Sequence, residues 1–172
     1  MFKKFYISFI LSISIFCIFF NLSSESANVS YTENGKLYFP INSRNFSSYY
    51  GYRDLLGKRN FHDGIDIPAT PNTKIYACDN GVIITANFLR GYGNSIIILH
   101  DNGNKSLYGH LSENYIVKNG DYVKKSEHIG YVGPKFLSNG ILNGYTTGPH
   151  LHFTIFISNS KTVDPLTFEY EN

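Results

Sequence analysis

Short apolar runs rich in β-branched residues, separated by turn-forming sequences, constrain the fold of this 172-residue chain most strongly. The clearest runs are Val82–Ala86, Ser95–Leu99 and Phe153–Ile157. Sequences such as Asp79-Asn80-Gly81 and Arg90-Gly91-Tyr92-Gly93 bound them, and glycine favours turns there because it accepts positive φ at little steric cost. Runs of this length and composition are typical of strands, and no long segment beyond the N-terminus has helical periodicity. The sequence therefore predicts one all-β domain with its own core.

The first 26 residues predict an export signal. Lys3 and Lys4 precede an apolar run from Phe5 to Phe20, and small and polar residues follow it. A basic start, an apolar stretch and small residues are typical of a signal peptide, with cleavage expected near Ser26. An uncleaved membrane anchor is the alternative, although about 16 apolar residues fall short of the ~20 that span a bilayer comfortably. We therefore expect an exported protein that is periplasmic, cell-wall associated or secreted, or attached to the membrane through this segment.

Charge and cysteine content narrow the expected partners. Loss of residues 1–26 removes two lysines and one glutamate, which changes the formal net charge from +2 to +1. A near-neutral domain without basic clusters gives no reason to expect a nucleic-acid partner. Cys78 would then be the only cysteine, so an internal disulfide is excluded and stability must come from the core and any bound metal.

Two histidine motifs about eighty residues apart carry the candidate chemistry. They are His62-Asp63-Gly64-Ile65-Asp66 and His150-Leu151-His152, with Tyr108-Gly109-His110 between them. A catalytic zinc site needs three ligands from His, Asp or Glu and a position left for water. On a strand, the two histidines of the second motif would project to one face about 7 Å apart, which suits one ligand and one neighbour. Spacing alone leaves open which of the two would be the ligand.

The first motif must bend if both of its ends are to bind one ion. His62 and Asp66 would lie about 13 Å apart on an extended strand, whereas two atoms bound to one zinc are at most about 4 Å apart. Asp63-Gly64 is a strong turn dipeptide, so the bend is part of the motif. We assign no role to His100, which follows a strand-like run, or to His128, which lies in a polar stretch.

Several motifs in one order resemble the lysostaphin-type (LytM-type) zinc endopeptidases, which cut peptide bridges in bacterial cell walls. They are Phe61 to Ile67, Tyr92-Gly93-Asn94, Leu107 to Leu111 and Thr147 to Phe153, within a match from about Phe39 to Pro165. The resemblance implies a single domain of antiparallel sheets with a metal-binding groove, the duplicated hybrid motif fold, over residues 39–168. Residues 27–38 would then form a linker or lead-in, and residues 169–172 a tail.

The resemblance also implies a role for each matched residue. One Zn²⁺ per chain would be bound by His62, Asp66 and His152, His110 and His150 would be the catalytic histidines, and Tyr92 and Asn94 would contact substrate. The implied activity is hydrolysis of peptide cross-links in peptidoglycan by a zinc-activated water. The alternative is a non-catalytic scaffold or activator of other wall hydrolases, but such relatives usually lose ligands or catalytic histidines, and this chain retains all five. A structural zinc site fits poorly, because such sites typically close with four Cys or His ligands.

Two departures from the family pattern concern the backbone near the site. The segment 134–146 is longer than usual by several residues and is expected to border the groove, which leaves the substrate specificity open. Ser126 stands where glycine is common, and we expect this change to alter a local bend rather than the chemistry.

Overall fold

The computed structural model describes residues 35–55, 57–157 and 160–172; the predicted export segment lies outside them. Within these ranges the chain forms eleven strands and a short 3-10 helix, Pro165–Thr167, and no helix there is long and apolar enough to cross a membrane. The strands are β1 (Gly51–Leu55), β2 (Lys58–His62), β3 (Ile65–Pro68), β4 (Lys74–Tyr76), β5 (Gly81–Leu89), β6 (Gly93–His100), β7 (Lys105–Gly109), β8 (Tyr122–Val123), β9 (His128–Tyr131), β10 (His150–Ile157) and β11 (Lys161–Val163). The all-β prediction is confirmed.

One seven-stranded antiparallel sheet forms the body of the domain. Its strand order is β11-β10-β7-β6-β5-β8. Strand β3 pairs with the first half of β10, on the same edge along which β11 pairs with its second half. The three apolar runs in the sequence lie in β5, β6 and β10, as predicted. Two smaller pairs, β1 with β2 and β4 with β9, are also antiparallel. His100 ends β6, which agrees with its interpretation as a strand-end residue.

Strand β10 places the histidine motif between two neighbours. The register pairs His152 with Asp66 of β3 on one side and with Gly109 of β7 on the other. Leu151 and Phe153 are fully buried in the core. Because successive side chains of a strand point to opposite faces, the intervening histidines face away from that core on one common side. The sheet thus gathers residues from three distant parts of the sequence.

A buried polar network ties the core to the turn before β5. The hydroxyl of Tyr108 accepts hydrogen bonds from Cys78 N at 2.8 Å and from Ser106 Oγ at 3.0 Å. His100 Nδ1 donates to the carbonyl of Asn80 at 2.9 Å, and its Nε2 lies 2.8 Å from Ser106 Oγ. Buried polar groups are costly unless they are paired, so these bonds stabilise the strand ends around them. The structure thus gives His100 a structural setting away from the groove.

The two ends of the described domain contact each other. Leu37 N donates to Glu169 O at 2.9 Å, and the ring of Phe39 packs edge-on against Tyr170 at 4.8 Å. The predicted boundaries at 39 and 168 stay a prediction, but residues on both sides of them belong to one packed cluster. Ser126 has a φ of 65°, in the left-handed region that glycine adopts without steric cost. Ser126 thus lies at a bend in a conformation typical of glycine, and the expectation that the change alters this bend stays a prediction.

Candidate metal centre and groove

The predicted bend between β2 and β3 is present. His62 ends β2, Ile65 begins β3, and Asp63-Gly64 forms the turn between them. Gly64 is required there by close approach, because a Cβ on it would lie 2.4 Å from the carbonyl oxygen of Phe153. The tight turn is packed directly against β10.

Three candidate ligand atoms converge at this turn. His62 Nε2 lies 3.1 Å from Asp66 Oδ1 and 3.1 Å from His152 Nδ1, and the last two atoms are 2.9 Å apart. Four ligands around a tetrahedral zinc with bonds of 2.0–2.2 Å are about 3.3 to 3.5 Å from each other. The three atoms therefore fit one such ion after a shift of a few tenths of an ångström. His150 lies beside this set, with Nε2 3.5 Å from Asp66 Oδ1.

Both imidazoles of the cluster are oriented through their second nitrogen. His62 Nδ1 donates to the carbonyl of Tyr49 at 2.9 Å, because a carbonyl oxygen can only accept. His152 Nε2 lies 2.8 Å from Thr154 Oγ1. Metal-binding histidines almost always donate their other ring N–H to such a partner, which fixes the tautomer and the ring orientation. The lone pairs of His62 Nε2 and His152 Nδ1 are thus left for a metal ion.

The electrostatics of the cluster favour a cation. Burial opposes ionisation of Asp66, but the neighbouring imidazoles of His150, His152 and His62 hold the pKa of this carboxyl well below its usual range. Burial also opposes a charge on His152, yet its hydrogen bonds with Asp63 and Asp66 raise its pKa above the usual value. The field that favours a proton on this ring also favours a metal ion. A set of two imidazoles and one carboxylate, each with a second partner, therefore fits zinc.

Asp66 has a cationic partner on the hairpin. Arg53 Nη1 lies 3.3 Å from Asp66 Oδ2, while Asp66 Oδ1 faces the two imidazoles. The register of β1 and β2 pairs Arg53 with Asn60, and the hairpin presents both residues to the groove. The guanidinium therefore fixes which carboxylate oxygen is directed to the candidate metal position.

His110 and His150 share a second arrangement. His110 Nδ1 donates to the carbonyl of Asn143 at 2.6 Å, and His150 Nδ1 donates to the carbonyl of Gly148 at 2.8 Å. Their rings are 4.5 Å apart, and His110 follows β7 with a φ of 58°, an uncommon value for a residue other than glycine. Burial, together with the neighbouring His150, lowers the pKa of His110 to about 4. The neutral ring of His110, with its proton on Nδ1, thus keeps an unprotonated Nε2.

The two predicted substrate residues differ in position. Tyr92 lines the groove, and its hydroxyl donates to the carboxylate of Asp63. Asn94 is buried, its backbone N–H donates to Asn143 Oδ1 at 2.9 Å, and its Nδ2 has no hydrogen-bond partner within the described ranges. Asn94 is absent from the residues that line the groove. The structure thus brings Tyr92 to the candidate site but not Asn94, whose substrate role stays a prediction.

The groove has a volume of about 380 Å³, within the range of ligand pockets. Its walls include Arg53, Asn60, Arg90 and Tyr145, which sequence reasoning missed. Arg53 and Asn60 could be found only from the pairing of the hairpin. Tyr145 belongs to the longer segment 134–146, so the expectation that this segment borders the groove is confirmed.

An antiparallel β domain with a His-Asp-His cluster beside two oriented imidazoles defines a metallopeptidase-type domain. Residues 60–165 match the model of peptidase family M23, and the chain belongs to this zinc-dependent family. It is 35% identical over 145 residues to the DD-carboxypeptidase/endopeptidase Mpg of Neisseria meningitidis, covering 83% of the chain and 31% of that protein. It is 37% identical over 131 residues to lysostaphin of Staphylococcus simulans, covering 72% and 25% respectively.

The fold has a counterpart among solved structures. The catalytic domain of the antimicrobial peptidase lysostaphin from Staphylococcus simulans superposes with a TM-score of 0.61 at 35% identity, over 72% of this chain and 90% of that one. By contrast, the chain spans a third or less of the length of the curated relatives named above. The shared part is therefore a domain of those relatives.

Proposed function

We propose that this protein is a zinc-dependent endopeptidase that hydrolyses peptide bonds in the cross-links of bacterial peptidoglycan, for remodelling or lysis of the wall. One observation carries the proposal: three ligand atoms within 3.1 Å of each other lie in an open groove beside two imidazoles whose Nδ1 atoms donate to backbone carbonyls. The names of Mpg and lysostaphin as peptidases support the same reading. The place of action would be outside the cytoplasmic membrane, in line with the predicted export segment.

His62, Asp66 and His152 would hold the metal. Bound zinc would supply a Lewis acid that polarises a carbonyl group and makes water acidic enough to react at neutral pH. Three protein ligands leave a catalytic zinc site open, whereas structural sites close with four. In this proposal the protein keeps the ligands rigid through Tyr49, Thr154 and Arg53.

The other two histidines would handle protons. Because backbone carbonyls fix the Nδ1 protons of His110 and His150, each Nε2 can accept a proton from a nucleophilic water and later donate it to the leaving amine. A protonated Nε2 can also donate a hydrogen bond to the oxygen on which charge develops. Tyr92 would form a wall of the groove, with its hydroxyl held by Asp63.

The test measures the release of new amino groups from intact peptidoglycan by the purified protein. The release is compared before a chelator is added, in its presence, and after zinc is restored. Hydrolysis should stop with chelator and return with zinc. His62→Ala should lose both metal and hydrolysis, whereas His110→Ala should retain zinc and lose rate. His128→Ala, at a histidine outside the groove, is the matched control and should behave as the parent.

Two results would count against this function. If His110→Ala hydrolyses as fast as the parent protein, the proposed role of that histidine is wrong. If the protein binds zinc but cleaves no wall preparation, a scaffold is the better interpretation. Mass analysis of the released fragments would identify the bond that is cut.

A further inference from the structure

Two cationic side chains line the groove, and their surroundings differ. Arg53 is paired with Asp66 at 3.3 Å and also donates to Ser48 Oγ. Arg90 is exposed, and no carboxylate in the described ranges forms a salt bridge with it. The charge of Arg53 is therefore used within the site, whereas that of Arg90 is available to a molecule in the groove.

The turn that carries Arg90 is held in place by the longer segment. Tyr145 N donates to the carbonyl of Gly91 at 2.7 Å. Gly93 has a φ of 69°, and a Cβ on it would lie 2.3 Å from Asn143 Oδ1. Such close contact leaves the turn little freedom, so a ligand that binds there does not have to order the backbone. The side chain of Arg90 thus starts from a fixed point beside the groove.

Arg90 lines the same cavity as the candidate metal ligands His62, Asp66 and His152. A peptide with its scissile bond at His152 would therefore occupy a groove whose wall includes Arg90. Phe61 and Tyr145 line this cavity too and are 44% and 77% exposed, so they offer apolar contacts to the same stretch.

We propose that Arg90 forms a subsite for a carboxylate of the substrate peptide near the bond that is cut. This inference rests on the proposed function, and it narrows the substrate class to anionic peptide cross-links rather than neutral ones. A guanidinium can bind a carboxylate through two parallel hydrogen bonds, which gives both affinity and orientation. The negative groups deeper in the groove do not compete for Arg90, because Asp66 is bonded to Arg53 and Asp63 to Tyr92.

The experiment compares two cross-linked peptides that are identical except that a carboxylate near the scissile bond is free in one and amidated in the other. The parent should cleave the free form with about five-fold higher kcat/KM, and this preference should fall at high salt because exposed charges are screened. Arg90→Gln should abolish the preference by raising KM for the free form much more than for the amidated form, while Arg90→Lys should retain part of the preference. Arg59→Gln is the matched control, since Arg59 lies over the ring of Tyr52 at 4.2 Å and does not line the groove.

Equilibrium binding separates failure of the subsite from failure of the activity. The labelled peptides are titrated onto zinc-loaded His110→Ala protein, with and without Arg90→Gln, so that no hydrolysis is needed. If the free-acid peptide binds more tightly than the amidated one, and if Arg90→Gln removes this difference, the subsite is supported even when no variant cleaves any peptide. The subsite is overturned if the protein with Arg90 binds both peptides with equal affinity, or if Arg90→Gln weakens the binding of both peptides equally. Neither result contradicts the proposed hydrolysis of the wall.

Discussion

Replacement of Thr154 by valine tests how the candidate metal centre depends on a buried residue that does not contact the metal position. Thr154 is fully buried on β10, and its Oγ1 lies 2.8 Å from His152 Nε2. With the proton on Nε2, that bond leaves Nδ1 free for the metal. Valine has nearly the same shape but no acceptor, so the change removes the bond with little effect on packing.

The size of the effect follows from what remains near His152. Loss of a partner for a buried donor costs about 1 to 3 kcal/mol. Asp63 Oδ1 lies 3.4 Å from the same nitrogen and can take over part of the bond. The cost should therefore lie near the lower end, at about 1.4 kcal/mol, which is about a tenfold weaker affinity for zinc. Such losses are usual when the partner of a metal-binding histidine is removed.

Competition with a chromophoric chelator at neutral pH measures the zinc affinity of the parent and of Thr154→Val. Hydrolysis at saturating zinc should stay near the parent rate, because the cost falls on metal binding. Thr85→Val on β5, outside the groove, is the control for the loss of a hydroxyl from a strand. A folded Thr154→Val protein whose zinc affinity is within twofold of the parent would refute this reasoning.

Four further changes give measurable results. Zinc at 100 times its Kd should stabilise the protein by about 2.7 kcal/mol, and chelation should lower Tm by about 5 to 10 °C in calorimetry. Tyr108→Phe removes the acceptor of the buried Cys78 N–H, so the free energy of unfolding in urea should fall by about 1 to 3 kcal/mol. Gly64→Ala would place a Cβ 2.4 Å from the Phe153 carbonyl oxygen, and both zinc retention and Tm should fall. Ser126→Gly relieves the strain of a φ of 65°, so the free energy of unfolding should rise by about 0.5 to 1 kcal/mol, seen as a higher urea midpoint.

The features that the sequence predicts well are local ones. Runs of β-branched residues between glycine turns are visible within ten residues, and β5, β6 and β10 formed where such runs occur. The bend at Asp63-Gly64 is equally local, because two ligands four residues apart on a strand cannot meet without it. The hairpin of β1 and β2 carries a weaker signal: its second strand, Lys58–His62, is exposed at every position but the last.

The features that the sequence could not decide depend on strand register. The structure pairs His152 with Asp66, 86 residues away, which supports His152 over His150 as the candidate ligand. Only the family resemblance implied this choice beforehand, and it stays a prediction. Arg53 reaches the groove through its pairing with Asn60, and no periodic pattern in the sequence predicted this pairing. The predicted contact of Asn94 with substrate rests on a motif match and stays a prediction, because a match alone does not say which side of a strand end faces the groove.

One buried residue links the position of His110 to the longer segment 134–146. Asn143 is fully buried although it lies in the longer segment 134–146, because its side chain donates to Leu111 O at 2.9 Å and accepts from Asn94 N at 2.9 Å. These bonds hold its own carbonyl 2.6 Å from His110 Nδ1. Tyr145, two residues further on, is free to face the groove. Under the proposed function, the segment could vary at its exposed positions and so change what the groove recognises, while the anchor at Asn143 keeps the imidazole of His110 in place.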